Sequence, residues 1–452
     1  MESQTSTYLN RKYSYQILDS LSIDLEIAEN PFNLPIEELF VMAARRNKKR
    51  SFLFVSKILG KHMPIDPAKG MLTGSLLADQ YAIKTTGMSY SKELKLQEQF
   101  MKDNPSIPDA FIPEEISPVI IGFAETATAL GHAFFAAFTK ADYFHTTREI
   151  VAEEIPVITF EEEHSHATSH RCYIASELLD NKREIILVDD EMSTGKTAIN
   201  IIRSIQAEFP RDVYSVVSIL DWRSDEHAEK FNELENELGI KINCVSMLRG
   251  KFSVSGHSPE AEILSEQQTF NMQEPVIEKI HVEQMSSEGI SSFYGGKLEG
   301  IPFSALSGRF GMNEQQRVSL DKTLSNLAIR LSQKSLGKRT LLVGTGEFMY
   351  IPMKTAAFME GNVSYQSTTR SPIHIVDKEG YGARYGMAFP NPEDPEIQHY
   401  LYNVRPLQYD EVFILFEREV PDEWLKPMLE EFRKTGIPSI NIVFYHSRMV
   451  KE

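Results

Sequence analysis

Residues 184–202, EIILVDDEMSTGKTAINII, decide the fold of this chain. The apolar run 185–188 has the pattern of a buried strand, and Asp189 and Asp190 end it. The residues from Thr197 onward have the apolar spacing of a helix. In an α/β protein, ligands bind where a parallel strand ends and the next helix begins. The stretch therefore predicts a strand, a ligand-binding loop and a helix.

The loop between this strand and this helix suits a sugar phosphate. It contains Ser193, Thr194, Gly195, Lys196 and Thr197. Its hydroxyl groups can donate hydrogen bonds, its glycine lets the backbone close around a ligand, and the helix amino end favours an anion by about 0.3–1 kcal/mol. Asp189 and Asp190 accept hydrogen bonds only, which suits the hydroxyl groups of a ribose.

Two other interpretations of the loop are weaker. Gly195-Lys196-Thr197 is also the end of an ATP-binding P-loop, but that motif needs glycine at position 190. Asp190 stands there, and its carboxylate would repel a triphosphate. In the second alternative, the two acids are solvated and merely cap the next helix.

Length and composition set limits on the class of protein. The chain has 452 residues, which suggests two or three domains, and its net charge of -17 disfavours binding to nucleic acid. Its two cysteines fit a reducing compartment. Neither a signal-peptide core nor an apolar run long enough to span a membrane is present in the sequence. We expect a cytoplasmic protein that binds neither nucleic acid nor membrane.

The second half of the chain echoes the first. In each half, a strand ends in glycine, a glutamate follows three residues later, and an arginine follows the glycine by 26 residues. The matching residues are Gly122, Glu125 and Arg148, then Gly344, Glu347 and Arg370. This spacing indicates two related βαβ units; the alternative is two unrelated α/β domains with similar loops.

The run 186–197, ILVDDEMSTGKT, resembles the signature of the type I phosphoribosyltransferases. In that family, two acids hold the 2- and 3-hydroxyls of phosphoribosyl pyrophosphate (PRPP), and the following loop holds its 5-phosphate. The resemblance gives these roles to Asp189 and Asp190 and to the loop 193–197. Hypoxanthine-type members have aspartate where this chain has Ser193, which argues against 6-oxopurine substrates.

The same resemblance implies a pyrophosphate site upstream. The loop GFAETA, 122–127, has the order and context of the family's pyrophosphate loop, with site residues Phe123, Ala124, Glu125 and Thr126. Its glutamate requires magnesium or a basic neighbour to offset its charge. HTTREI, 145–150, resembles the strand end where orotate phosphoribosyltransferases carry a basic residue. Arg148 is thus a candidate catalytic contact to pyrophosphate; the alternative is a salt bridge to Glu149.

A narrower resemblance covers most of the chain. Segments 45–67, 122–131, 188–198 and 367–373 resemble the phosphoribosyltransferase of tellurium-resistance gene clusters. That family carries a C-terminal domain named for the Thr-Arg-Ser-Pro (TRSP) motif, here residues 369–372. The resemblance implies a biosynthetic role that produces a nucleotide-like metabolite.

Other residue groups leave several interpretations open. His164, His166 and His170 lie where the family keeps a flexible hood; a metal site or a solvated loop are the alternatives, and their spacing matches no common zinc pattern. We therefore expect no dedicated metal ligand. The segment 34–50 has helical spacing and ends in a basic cluster, which favours a structural or dimer-edge role, with phosphate or substrate contact as the alternative. Lys57, Lys61 and His62 are candidate substrate contacts.

In the second half, three residues are candidates for an anion site. Gly346 and Glu347 form a strand-to-helix turn, and Arg370 ends a nearby strand. The strand 413–419 has no Thr-Gly loop after it, so this half would lack a PRPP site. The alternative role is a scaffold that completes the first site.

Together these patterns predict an α/β protein. A parallel-sheet type I phosphoribosyltransferase domain with an N-terminal extension occupies residues 1–260, and a linker occupies 261–300. A TRSP-type α/β domain occupies 301–452, and we interpret it as a degenerate repeat of the first domain. We expect transfer of a phosphoribosyl group from PRPP, with Mg²⁺, to a base-like small molecule by a homodimer. The rivals are a non-catalytic PRPP- or nucleotide-binding regulator and the reverse, pyrophosphate-dependent reaction.

Overall fold

Two sheets with mainly parallel strands form the centre of the fold. The computed structural model describes residues 11–18, 21–46, 50–161, 169–256, 274–282, 293–336 and 338–447. The α-helices are α1 (Ile36–Leu39), α2 (Pro67–Thr86), α3 (Leu96–Phe100), α4 (Ala127–Phe135), α5 (Lys196–Glu208), α6 (Asp225–Leu238), α7 (Glu314–Lys334), α8 (Tyr350–Phe358) and α9 (Asp422–Arg433). Within these ranges, no helix combines the length and the apolar character that crossing a membrane requires.

The first sheet is parallel at its centre and antiparallel at its edges. Its strands are β1 (Arg11–Leu18), β2 (Leu21–Glu29), β5 (Val119–Gly122), β6 (Asp142–His145), β9 (Ile185–Met192), β10 (Val213–Asp221), β11 (Lys241–Gly256) and β13 (Met312–Asn313). Their spatial order is β1-β2-β11-β10-β9-β5-β6-β13. Residues 185–188 are fully buried, as the apolar run predicts, because helices cover both faces of a parallel sheet.

The second sheet repeats the central arrangement of the first. Its strands are β12 (Val276–His281), β14 (Arg339–Gly344), β15 (Asn362–Ser367), β18 (Glu411–Arg418) and β19 (Ser439–His446), all parallel, in the order β12-β19-β18-β14-β15. β14 lies between β15 and β18 as β5 lies between β6 and β9. The prediction of two α/β domains with parallel sheets is confirmed.

Small hairpins complete both halves. They are β3 (Phe40–Ala44) with β4 (Phe52–Ser56), β7 (Ile158–Glu161) with β8 (Ser169–Cys172), and β16 (Gly386–Asn391) with β17 (Asp394–Tyr402). Two further strands lie outside the sheets that the sequence predicts for them. β12 lies inside the segment 261–300 and pairs with β19, whereas β13 pairs with β6 of the first sheet.

The predicted helix over 34–50 is wrong. Among the described residues of this segment, only Ile36–Leu39 is helical, and Phe40–Ala44 then pairs with Phe52–Ser56 as β3 and β4. The apolar runs here are short, and short runs do not distinguish a strand from a buried helix. Tertiary packing decides the outcome: Phe54 stacks on Trp222, with ring centroids 4.8 Å apart. The basic residues at positions 45, 46 and 50 therefore lie between two paired strands in the chain rather than at the end of a helix.

A buried ion cluster joins the two halves. Arg309 is 2% exposed and donates two hydrogen bonds, of 2.8 and 3.0 Å, to Glu417 at the end of β18. It also lies 3.7 Å from Glu347, which follows β14. Burial raises the pKa of both carboxyl groups, but the Arg309 charge, together with the other positive charges and hydrogen bonds around each group, holds each pKa below its ordinary value. Both acids are therefore ionised partners of one arginine.

We predict that Arg309→Met lowers the free energy of unfolding by about 3–5 kcal/mol, because it leaves buried carboxylates without their cation. Chemical denaturation at pH 7 measures the change. Arg339→Met is the matched control, since Arg339 pairs with Asp410 on the surface and its loss should change stability little. Equal effects of the two substitutions would contradict a stabilising role for the buried cluster.

Candidate active site

One cavity of about 360 Å³ collects most of the residues that the sequence singles out. It lies at the carboxyl ends of β5 and β9. Its volume is in the range of small-molecule binding sites. Its charged lining residues are Arg45, Arg50, Lys61, Glu125, Arg148, Asp189, Asp190, Glu191 and Arg370. The lining comes from both halves of the chain.

The end of β9 places two acids beside the loop that starts α5. Asp189 and Asp190 are half-buried and line the cavity, and the Asp190 amide donates to Asp189 Oδ1 at 2.9 Å. α5 begins at Lys196, so the amides of its first turn have no partners within the helix. The Thr194 hydroxyl accepts from the Lys196 amide at 3.3 Å. Carboxylates and a helix amino end thus adjoin one another.

Gly195 has a conformation that only glycine adopts without strain. Its φ is +73°, and an added Cβ would lie 2.4 Å from the Phe231 ring of α6. Arg223 packs over the same ring at 4.4 Å and forms a buried ion pair with Asp221. The loop therefore rests on a rigid support, and its backbone faces the cavity.

The loop 123–126 follows β5 and faces the same cavity. The Phe123 amide donates to the Val188 carbonyl oxygen at 3.1 Å, which places this loop beside the end of β9. Lys61 lies nearby, since its ammonium donates to the Thr126 hydroxyl. Glu125 is 6% exposed, and its Oε1 has no hydrogen-bond partner among the described residues. The loop thus has a cationic neighbour and an oxygen left for a ligand.

Arg148 follows β6 and also lines the cavity. Its amide donates to Glu347 Oε1 at 2.8 Å, and its carbonyl oxygen accepts from Arg171 Nη1 at 3.2 Å. Both backbone groups are thereby fixed. Glu149 has an ion-pair contact with Arg370 at 3.9 Å.

The structure describes one of the three histidines of the predicted hood, His170. His170 is buried in β8, with Nδ1 2.9 Å from the Thr146 hydroxyl oxygen, and also lines the cavity. This hydrogen bond gives it a role in positioning the end of β6. His164 and His166 lie outside the described residues. Across the part of the chain that the structure describes, no group of three or more His, Cys, Asp or Glu side chains is arranged to hold a metal ion.

Sequence reasoning missed the wall made by the β3–β4 hairpin. Leu53, Phe54 and Ser56 line the cavity, and Arg50 pairs with Glu191 at 2.5 Å. The short apolar run FLFVS, with its aromatic and β-branched residues, could have indicated a buried strand, but only its packing on Trp222 brings it over the site. His62 also lines the cavity and is buried; burial, then Lys61 and Arg45, hold its pKa well below the ordinary value, so it is neutral at pH 7.

The candidate anion site of the second half is divided. Arg370 lines the large cavity together with Thr369, Ser371 and Pro372. Glu347 instead accepts from the Thr147 hydroxyl at 2.5 Å and from the Arg148 amide. The Gly346 amide donates to the Thr368 hydroxyl at 3.1 Å. Glu347 is therefore occupied by hydrogen bonds to the first half, whereas Arg370 lines the large cavity.

Comparison with known families finds two matches. The model described as "Phosphoribosyl transferase" matches residues 39–251, and the model described as "TRSP domain C terminus to PRTase_2" matches residues 306–432. A comparison with curated proteins finds no match.

Similar solved structures include adenine phosphoribosyltransferases. That of Trypanosoma brucei, solved with AMP, pyrophosphate and ribose-5-phosphate, is 12% identical with a TM-score of 0.31, and the match covers 49% of this chain and 82% of that one. That of Leishmania tarentolae is 14% identical with a TM-score of 0.28, covering 49% and 90%. That of Saccharomyces cerevisiae is 13% identical with a TM-score of 0.21, covering 38% and 78%.

We predict that Gly195→Ala destabilises the protein more than Gly239→Ala, by about 1–3 kcal/mol, because only position 195 adds a clash with Phe231. Gly239 is the matched control: its φ is +66°, and an added Cβ there meets nothing within 4 Å. Thermal and chemical unfolding of both variants measure the difference. Equal losses would mean that backbone conformation alone, and not the packed support, explains the glycine.

Proposed function

Since the chain belongs to the phosphoribosyl transferase family that carries a C-terminal TRSP domain, a family of pentosyltransferases, we propose that it transfers the 5-phosphoribosyl group of PRPP to a nitrogen of a base-like acceptor. One observation carries the proposal. The two acids of β9, the loop 193–197, the loop 123–126 and Arg148 all adjoin a single cavity.

The parts of PRPP match the parts of the cavity by charge. Asp189 and Asp190 accept hydrogen bonds from the 2- and 3-hydroxyls of the ribose. The amides of the loop 193–197 and the first turn of α5 hold the 5-phosphate, as helix amino ends do for anions. Lys61 and Arg148 lie at the other end, beside the loop 123–126, and bind the pyrophosphate.

Mg²⁺ fits the same end of the cavity. Magnesium takes oxygen ligands and is usually bound through one or two carboxylates together with substrate phosphates and water. The buried Glu125 oxygen, which has no hydrogen-bond partner among the described residues, would be such a ligand, and this role would also explain a carboxylate in a pyrophosphate loop. When bound, the ion would offset phosphate charge.

The acceptor lies on the wall formed by the β3–β4 hairpin. Leu53 and Phe54 provide apolar surface, and Ser56 provides a hydroxyl group for a polar edge of the acceptor. Phe54 is held in place by its stack on Trp222. A flat, nitrogen-containing ring fits this combination of apolar wall and few polar groups.

In the reaction, the bond between the anomeric carbon and the pyrophosphate oxygen breaks and a carbon–nitrogen bond forms. The proton lost by the acceptor nitrogen leaves with the pyrophosphate or passes to solvent. Positive charge that develops on the ribose is stabilised by Asp189 and Asp190. The β3–β4 hairpin and the β7–β8 hairpin border the cavity and limit the access of water.

We also propose the cellular setting that the family resemblance implies. The product is a nucleotide-like metabolite made in the cytoplasm, within the biosynthetic function of tellurium-resistance gene clusters, and the enzyme acts as a homodimer. Both cysteines are free thiols, which suits a reducing compartment.

We predict that Asp189→Asn/Asp190→Asn binds PRPP at least tenfold more weakly, because each charged hydrogen bond to the ribose contributes about 1.5–3 kcal/mol. Titration calorimetry with PRPP and Mg²⁺ measures the affinity. Asp410→Asn is the control, since Asp410 lies at the amino edge of the second sheet and pairs with Arg339.

Wild-type affinity in the double variant, or no PRPP binding by the wild type, would contradict the proposal. Where PRPP binds, pyrophosphate release during a screen of heterocyclic acceptors distinguishes a transferase from a regulator that only binds. Dependence of nucleotide cleavage on added pyrophosphate would identify the reverse reaction.

A further inference from the structure

The two halves face each other through equivalent loops. In the first half, the Ala124 amide donates to the Thr146 hydroxyl at 2.9 Å, and that oxygen lies 2.9 Å from His170 Nδ1. In the second half, the Gly346 amide donates to the Thr368 hydroxyl at 3.1 Å, and that oxygen lies 3.0 Å from His399 Nδ1. The 26-residue spacing of the sequence thus corresponds to one repeated local structure.

The repeat includes the segments that carry Arg148 and Arg370. Thr147 forms an antiparallel bridge with Arg171 of β8, and Thr369 forms the same kind of bridge with Tyr400 of β17. Each arginine directly follows its bridging threonine. The two arginines therefore occupy equivalent positions, one in each half.

On one side of the interface, the contact between the halves is closed. Glu347 of the second half accepts from the Thr147 hydroxyl and the Arg148 amide, and Arg309 fills the space between Glu347 and Glu417. Phe303 packs on Arg309, with the guanidinium 4.5 Å from the ring centroid. The cleft at the carboxyl edge of the second sheet is therefore filled by the protein's own side chains.

On the other side, the contact is open and becomes the large cavity. Arg370 Nε and Ser371 Oγ are buried there and have no hydrogen-bond partner among the described residues. Glu125 is equivalent to Glu347, and its Oε1 likewise has no hydrogen-bond partner among the described residues. Buried polar groups without partners are costly, so these side chains favour a polar ligand in the cavity that they line.

The position of Arg370 identifies which part of the ligand it meets. Its ion-pair contact is Glu149, the residue after Arg148, and Arg370 lines the cavity together with Arg148 and Glu125. Arg370 thus lies at the end of the cavity that holds the loop 123–126. Pro372, two residues on, accepts from the Arg46 amide at 3.3 Å and so lies toward the β3–β4 hairpin.

We propose that the TRSP domain supplies a substrate-binding residue to the N-terminal site: Arg370 binds the pyrophosphate group of PRPP, opposite Arg148. This inference rests on the proposed function. Two guanidinium groups, one from each half, enclose the doubly phosphorylated end of the substrate, and a guanidinium can hold a phosphate through two parallel hydrogen bonds. The second half, whose own cleft is filled, thus acts as a permanent internal partner for the first.

The test compares ligands with and without pyrophosphate. Calorimetry of Arg370→Gln should show PRPP with Mg²⁺, and pyrophosphate with Mg²⁺, bound about tenfold or more weakly than by the wild type. Ribose 5-phosphate, which lacks pyrophosphate, should bind both proteins equally. Arg370→Lys should give an intermediate affinity for PRPP, because it keeps the charge and loses the paired donors.

Arg339→Gln is the matched control, an exposed arginine of the same domain at the opposite edge of its sheet, and it should bind all three ligands as the wild type does. Unchanged PRPP affinity in Arg370→Gln would overturn the inference, and so would an equal loss for ribose 5-phosphate. If Arg370→Gln does not fold, as judged by thermal unfolding, Arg370→Lys decides by the same comparison.

These results separate the two proposals. A wild type that binds neither PRPP nor ribose 5-phosphate refutes the proposed function. The outcome is different if the wild type binds PRPP, Asp189→Asn/Asp190→Asn does not, and Arg370→Gln binds it as well as the wild type does. That result would support the proposed function and refute the role of Arg370.

Discussion

Parallel pairing of β5 with β9 is the constraint on which the site depends. Gly122, the last residue of β5, pairs with Val188 of β9, so the loop after β5 begins beside Asp189 and Asp190 and faces the same cavity. Antiparallel strands would place consecutive loops at opposite edges. This pairing brings the acids of β9 beside the loop 123–126, although more than 60 residues separate them in the chain. The chemistry proposed for the cavity therefore follows from strand direction.

The second half of the chain repeats this arrangement and uses it differently. Its loop glutamate, Glu347, is bound by the first half, and its cleft is filled by Arg309. The ion cluster that results is buried and holds the two halves in register. Because the halves are fixed in this way, the segment 369–372 reaches the cavity of the first half. The second half thus has a cleft that its own side chains fill, and its segment 369–372 lines the cavity of the first half.

The N-terminal segment 40–65 also depends on both halves. The His374 amide donates to the Ala44 carbonyl oxygen at 3.0 Å, and the Gly382 amide donates to the Met42 carbonyl oxygen at 2.9 Å. Backbone hydrogen bonds to the second half therefore hold the hairpin over the cavity. A short apolar segment with ambiguous propensity becomes a strand here because it gains partners on two sides.

By itself, the sequence determined the α/β class, the main strands and helices, the family and the two-unit repeat. It also singled out a group of residues that the structure gathers around one cavity: 123–126, Arg148, Asp189, Asp190 and 193–197. Local periodicity and loop chemistry encode these features, since they depend on neighbouring residues. Only the tertiary structure decided that 40–44 pairs with 52–56 and that Glu347 binds the first half. It also decided that Arg370 of the second half lines the cavity of the first half. Those outcomes depend on contacts between residues hundreds of positions apart, which no local pattern records.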